Sequence, residues 1–201
     1  MIYIFLGGIG SGKSLSMIRS IVDRKDNFAL TNFRLKKIKN YHRIKFSDII
    51  IPALEKGDKP RVNWEFWDAI RKKHKNFSIY IDEIHNVIHA RRSMSKENIL
   101  MSKWVSQIRK ILQDKPNNNL YIISQTMSKI DKDFRDLAHL IIKCRAIKLE
   151  KEVIIIQDVY TSYEHYEYGV KSFTSYFKGK KYFDYYDSLD MVTFGDSEEF
   201  I

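Results

Sequence analysis

The stretch Met1 to Ser14, MIYIFLGGIGSGKS, constrains the fold of this chain more than any other. Ile2 to Leu6 is a short apolar run rich in β-formers, long enough for one buried strand. Gly7, Gly12, Lys13 and Ser14 then meet the pattern G-x-x-x-x-G-K-[ST]. Glycines in such a loop let successive backbone N–H groups turn inward around anionic oxygens with no Cβ in the way. The lysine sets a point charge on the terminal phosphates, and the serine hydroxyl suits Mg²⁺. Leu15, Met17, Ile18, Ile21 and Val22 follow at helical spacing, so the loop opens a helix whose N-terminal dipole faces the anion. Gly8, Ile9, Gly10, Ser11, Gly12, Lys13, Ser14 and Leu15 are the expected contacts of a nucleoside triphosphate, with Ser14 on the metal. A dinucleotide fingerprint is excluded by spacing, because Lys13 stands where the third glycine after Gly8 and Gly10 belongs.

The chain has 201 residues, 44% hydrophobic and 30% charged, which suits one globular domain or one with a small appendage. No apolar run is long enough to span a bilayer, and a strand beginning at residue 2 leaves no room for a signal peptide. The lone cysteine, Cys144, lies in an apolar run and reads as a buried thiol; a cytoplasmic protein is expected. Lys and Arg number 35 against 25 acidic residues, a net charge of +10. That surplus favours contact with a polyanion, and it also fits the solubilising surface of a lysine-rich proteome.

Asn27 to Phe33 reads as a strand, followed by a basic segment from Arg34 to Lys45. Ser47 is the expected N-cap of a helix from Asp48 to Lys56, ended by Gly57. Asn63 caps a second helix with Trp64, Trp67, Ala69 and Ile70 inward and Arg71, Lys72, Lys73 and Lys75 at its end. Phe77 to Ile81 is a buried strand running into Asp82-Glu83. A strand entering a solvated turn often ends this way. Downstream of a phosphate loop, Asp82 is expected to hold the Mg²⁺ shell and Glu83 to polarise the attacking water. His85 and His89 stand four apart, but Asn86 replaces the glutamate of a zinc-protease pattern, so no metal site is expected there.

Arg91 to Ser95 reads as a loop into a long helix capped by Ser95 or Ser93, with Glu97 in its first turn. Leu100, Trp104, Val105, Ile108, Ile111 and Leu112 trace its core face, with Lys103, Gln107 and Lys110 off it. Leu120 to Ser124 is a strand ending at Gln125, which either senses the γ-phosphate and attacking water or satisfies a loop. Ile130 to Leu137 holds a short helix containing Arg135, and Leu140 to Ile142 opens another strand. Ile147–Glu150 and Val153–Val159 pair as a hairpin across Lys151-Glu152. Beyond Tyr160 the chain is rich in Tyr and Phe interleaved with lysines. A β-rich edge or intersubunit surface is favoured there over base stacking. Asp196 to Ile201 is a frayed acidic end. Residues 1–150 form the expected core, and 151–201 a β-rich extension packed on it.

With these pieces in order, the phosphate loop, DEIHNVIHARRSMSKENI, SQIRK and LYIISQTMSKIDKDFRD resemble the additional-strand, catalytic-glutamate division of P-loop ATPases. The FtsK–HerA-like motors are similar, and more narrowly the Zot-like ATPases of filamentous phages with related proteins of archaeal and bacterial viruses. The resemblance spans about Met1 to Cys144. It implies an α/β P-loop NTPase fold: a mostly parallel sheet flanked by helices, with the sensor strand between the phosphate-loop and acidic strands. It also implies ATP and Mg²⁺ at the interfaces of a homo-oligomeric ring, a pentamer or hexamer, that moves DNA or extrudes virions. By motif position Lys13 and Ser14 bind phosphate and Mg²⁺, Glu83 is the base and Gln125 the sensor. The trans-acting arginine is Arg135 or Arg109, with Arg135 favoured by its place after the glutamine. Arg34–Lys45 and Arg91-Arg92 are candidate contacts to DNA phosphates, independent of sequence. Virion or capsid proteins are further expected partners. No membrane anchor follows the ATPase region, so a genome-packaging motor of the host cytoplasm is expected. The alternatives are an assembly or extrusion ATPase working with a membrane partner, and a small-molecule kinase, which would not need Glu83 beside Asp82 with Gln125 behind.

Overall fold

Both faces of the first strand are apolar, and both are buried. β1 (Ile2–Leu6) turns Ile2, Ile4 and Leu6 into one core and Phe5, with Tyr3 at its margin, into another. Near-continuous apolar strands of this kind belong in the middle of a parallel sheet covered on both sides. The computed structural model, which describes residues 1–24, 27–51, 61–84, 103–113, 115–130 and 132–186, has that architecture. Six strands run parallel: β1, β2 (Phe28–Thr31), β3 (Tyr41–Arg43), β6 (Phe77–Ile81), β7 (Asn119–Ser124) and β8 (Leu140–Lys148). Two more, β9 (Val153–Tyr160) and β10 (Phe173–Lys178), continue the sheet antiparallel. The strand order is β10-β9-β8-β1-β7-β6-β2-β3. The strand ending at Gln125 therefore lies between the phosphate-loop strand and the Asp82 strand, as the family resemblance implies.

One face carries α1 (Lys13–Val22), with Met17, Ile18, Ile21 and Val22 packed on Phe5, Tyr121 and Ile123. A 3₁₀ turn, Gly179–Tyr185, lies along this helix, with Tyr182 buried beside it. The opposite face is covered by α2 (Phe46–Ile49), α3 (Trp64–Lys73), α4 (Ile108–Leu112) and α5 (Lys132–Leu137). Trp67, Trp104 and Phe134 are fully buried there, and α6 (Tyr163–Glu167) adds Tyr163 and Tyr166 at the rim. Tyr3, Tyr121 and Tyr80 stack across β1, β7 and β6 at 4.6 and 4.7 Å between ring centroids. These three residues are register partners, so the ladder locks the relative height of the strands that end at the site. No helix among the described residues is long and apolar enough to cross a membrane.

Several expectations are corrected. The helix from Ser47 does not run to Lys56: α2 starts at Phe46 and stops at Ile49. Ile50–Ile51 then forms β4, paired antiparallel with β5 (Arg61–Val62). A β-branched run before Pro52 disfavours helix at Ile51, and the pairing with Val62 takes over. The basic segment contains a strand, β3, at the sheet edge. Leu140–Ile142 and Ile147 belong to one nine-residue strand, β8, whose register with β9 runs from Ile141 to Lys148. Asn63 caps α3 through its side chain to the Phe66 N–H at 3.1 Å, but Ala69 is exposed because Trp67 and Ile70 set the inward stripe. The helix expected from Ser95 is described only from residue 103 and turns at Gln107 before α4. His85, His89, Arg91, Arg92, Ser93, Ser95, Glu97 and Leu100 lie outside the described residues, as do 52–60 and the acidic end 196–201.

Candidate functional site

The loop after β1 is shaped by glycines in a backbone conformation that other residues rarely adopt. Gly7, Gly10 and Gly12 have φ of 148°, 74° and 88°. A Cβ on Gly7 would lie 2.6 Å from the Cys144 carbonyl oxygen, and one on Gly12 would lie 2.4 Å from Ile155 Cδ1. β8 and β9 thus press against the loop from beneath, and only glycine fits at the two contact points. Ser11 N–H donates to the Gly8 carbonyl at 3.2 Å, and the Lys13 ammonium folds back onto the same oxygen at 2.9 Å. Lys13 is buried at 6% exposure, while Ile9 stands 93% exposed at the tip. The Ser11 hydroxyl is buried with no hydrogen-bond partner among the described residues.

Ser14 opens α1 and faces the end of β6, where its Oγ donates to Asp82 Oδ2 at 3.2 Å. Asp82 is 3% exposed, and its other carboxylate oxygen, Oδ1, has no hydrogen-bond partner among the described residues. Its backbone is clamped by Asn32: the Asp82 N–H donates to Asn32 Oδ1 at 2.8 Å and Asn32 Nδ2 donates to the Asp82 carbonyl at 3.0 Å. Burial, followed by the charge of Glu83, pushes the Asp82 carboxyl up to about 6, while hydrogen bonds from Ser14 and Tyr186 pull it down. An orphaned buried carboxylate oxygen beside a serine hydroxyl is a hard-oxygen donor set, and these residues fit Mg²⁺. Glu83 follows with φ 50°, in the left-handed region where a residue with a Cβ is uncommon. Burial raises its pKa, opposed by the charges of Lys13 and Lys129.

Gln125 follows the end of β7, and its Oε1 accepts from Lys129 Nζ at 3.1 Å. Lys129 therefore touches Gln125 and acts electrostatically on Glu83, joining two site residues from one 3₁₀ turn (Met127–Lys129). Arg135, on α5, is seated on Tyr163: Nη1 donates to the Tyr163 hydroxyl at 3.3 Å and the guanidinium lies 5.4 Å from the ring centroid. That hydroxyl in turn donates to Glu167. Arg109 is exposed on α4. The structure thus gathers Lys13, Ser14, Asp82 and Glu83, sets Gln125 at the end of the strand between them, and seats Arg135 on Tyr163. Asn32, Lys129 and Tyr186 escape a reading of the sequence. Only Lys129 has a local signal, four residues after Gln125 in a helical turn.

The sequence matches the family described as zonular occludens toxin (Zot) over residues 1–189. The chain belongs to the zonular occludens toxin family. Its fold is shared with the N-terminal domain of zonular occludens toxin from Neisseria meningitidis, at TM-score 0.58 and 20% identity over 92% of this chain and 98% of that one. B204, the DNA-packaging ATPase from Sulfolobus Turreted Icosahedral Virus, matches at TM-score 0.44 and 17% identity over 71% and 74% of the two chains. The genome packaging NTPase B204 from Sulfolobus turreted icosahedral virus 2, in complex with ATP-gammaS, matches at 0.43 and 15% over 80% and 97%. No curated protein matches the sequence. The architecture of this Zot-family chain is an α/β fold, with a mostly parallel sheet between helices and antiparallel strands at one side.

Proposed function

We propose that this Zot-family chain is a nucleoside triphosphate hydrolase, taking ATP with Mg²⁺, that serves virion packaging or assembly by driving DNA translocation. The observation that carries the proposal is the meeting of Ser14 and Asp82, 68 residues apart in sequence, at 3.2 Å on the carboxyl side of adjacent-but-one parallel strands. Ligands of open α/β sheets bind at such strand ends. When bound, Mg²⁺ neutralises charge on the phosphate oxygens. The loop N–H groups and the α1 N-terminus hold the phosphates, and Lys13 exchanges the Gly8 carbonyl for a phosphate oxygen. Glu83 takes the proton of the attacking water, and Gln125 orients that water. Arg135 acts in trans across a ring interface after leaving Tyr163. The net charge of +10 and the exposed cations of Arg34–Lys45 support DNA as the partner.

Membership of the Zot family favours a second reading, an assembly or extrusion ATPase whose partner is a membrane protein. Steady-state ATP hydrolysis with and without double-stranded DNA at low salt separates the two. Stimulation by DNA that fades with added salt, and a loss of about 10²–10⁴-fold in Glu83→Gln, is the expected result. Hydrolysis indifferent to DNA would remove the translocase and leave the assembly factor.

A further inference from the structure

Beyond β10 the chain runs between β9 and α1 at Gly179 and reaches Leu35, past the end of β2, at Tyr186. Ties to the end of α1 and to the segment after β2 hold this strap. The Tyr182 hydroxyl donates to Asp23 at 3.3 Å, Lys37 pairs with Asp184 at 2.6 Å, and the Lys36 N–H donates to the Tyr185 carbonyl at 2.9 Å. A β-bridge joins Leu35 and Tyr186, whose ring meets Phe33 edge-on at 5.4 Å. The ring and backbone of Tyr186 are thus docked without help from its hydroxyl. That hydroxyl reaches Asp82 Oδ2 at 3.3 Å, across 104 residues of sequence. It shares the oxygen with Ser14 and leaves Oδ1 with no partner among the described residues.

We propose that Tyr186 is a positioning residue of the cation site, its hydroxyl holding the Asp82 carboxylate in the rotamer that keeps Oδ1 available to Mg²⁺. The inference rests on the nucleotide-hydrolase assignment above and extends it to a residue outside the loop, the acidic strand and the sensor strand. A carboxylate with two donors on one oxygen has fewer rotamers to lose on binding a cation. Partners of this kind around metal ligands are commonly worth ten-fold or more in metal affinity. The strap thereby brings Tyr186 to a cation site otherwise built from Ser14 and Asp82.

The test is Mn²⁺ binding by electron paramagnetic resonance, with a non-hydrolysable ATP analogue, on the full chain and on Tyr186→Phe. The phenylalanine keeps the ring contact with Phe33 and removes only the hydroxyl. Expected is a rise of about tenfold in the Mn²⁺ dissociation constant. Affinity for fluorescent ATP in EDTA should be unchanged, and the metal-free melting temperature should fall by a few degrees at most, the loss of one hydrogen bond. Equal Mn²⁺ affinity in the two proteins would overturn the role of Tyr186 while leaving the hydrolase intact. A parallel loss of nucleotide affinity and melting temperature would also overturn it, as a structural effect. Failure of the unsubstituted chain to bind Mn²⁺ with nucleotide would overturn the hydrolase assignment itself, and this inference with it.

Discussion

Asp82 is buried with one carboxylate oxygen engaged by two hydroxyls and the other by none among the described residues. Its folded-state pKa of about 6 lies above the ordinary 3.8, so the folded chain keeps a proton that the unfolded chain has lost. Stability from this group is full below about pH 4 and falls as pH rises through about 6, by about 3 kcal/mol. Asp82→Asn is therefore expected to raise the metal-free melting temperature at pH 7.5 and to abolish the further rise that Mg²⁺-ATP gives the unsubstituted chain. Thermal melts with and without ligand check both effects. Glu83 is also raised, by burial, and must be ionised to accept a proton. ATP hydrolysis should then fall on the acid side with a midpoint above the ordinary glutamate range, which a pH–rate profile reads directly. A midpoint at or below that range would remove Glu83 as the base. Asp82 and Glu83 are legible in sequence because the motif places them at a strand end. Asn32 is not, because its amide acts on Asp82 across 50 residues through a fold that brings β2 beside β6.

Among the elements, β8 and β9 decide the shape of a loop far from them in sequence. Gly12 combines φ 88° with a Cβ position 2.4 Å from Ile155, whereas Gly8 has no heavy atom within 4 Å of its Cβ position. Gly12→Ala should cost about 2 kcal/mol or more in stability, from backbone strain and overpacking together, while Gly8→Ala should stay within about 0.5 kcal/mol. Urea denaturation of the two variants measures the contrast, and equal values would dissociate the loop from β9. The glycine pattern was readable at the first residues of the chain. Its support was not, because the long β8 looked in sequence like two short pieces. Exposed Lys143, Arg145 and Lys148 break the apolar run that marks a buried strand, although Ile141, Ile142 and Cys144 are buried. A strand with one covered face and one open face at its far end carries no uniform signal.

Across the whole molecule, the cations of Arg34–Lys45 are exposed and lie around β3, the edge strand opposite β10. If this edge meets DNA phosphates, a Lys39→Gln, Arg43→Gln, Lys45→Gln variant should bind DNA more weakly. Its log-affinity against log-salt slope should be shallower by about one for each phosphate it no longer neutralises. Hydrolysis without DNA should be unchanged. An unaltered slope would place the DNA-binding surface elsewhere.

The sequence by itself determined the glycine loop with Lys13 and Ser14, the apolar strand running into Asp82-Glu83 and the strand running into Gln125, because each rests on residues within one short stretch; the mostly parallel sheet was implied by the family resemblance. Period-2 and period-3.6 apolar patterns and fixed glycine spacings are local quantities, and local sequence states them. The tertiary structure alone decided which distant groups converge on Asp82, how Arg135 is seated on Tyr163, and that β9 supports the loop. Those are distances between residues far apart in the chain, set by sheet order and by the path of the strap, and no local pattern encodes them.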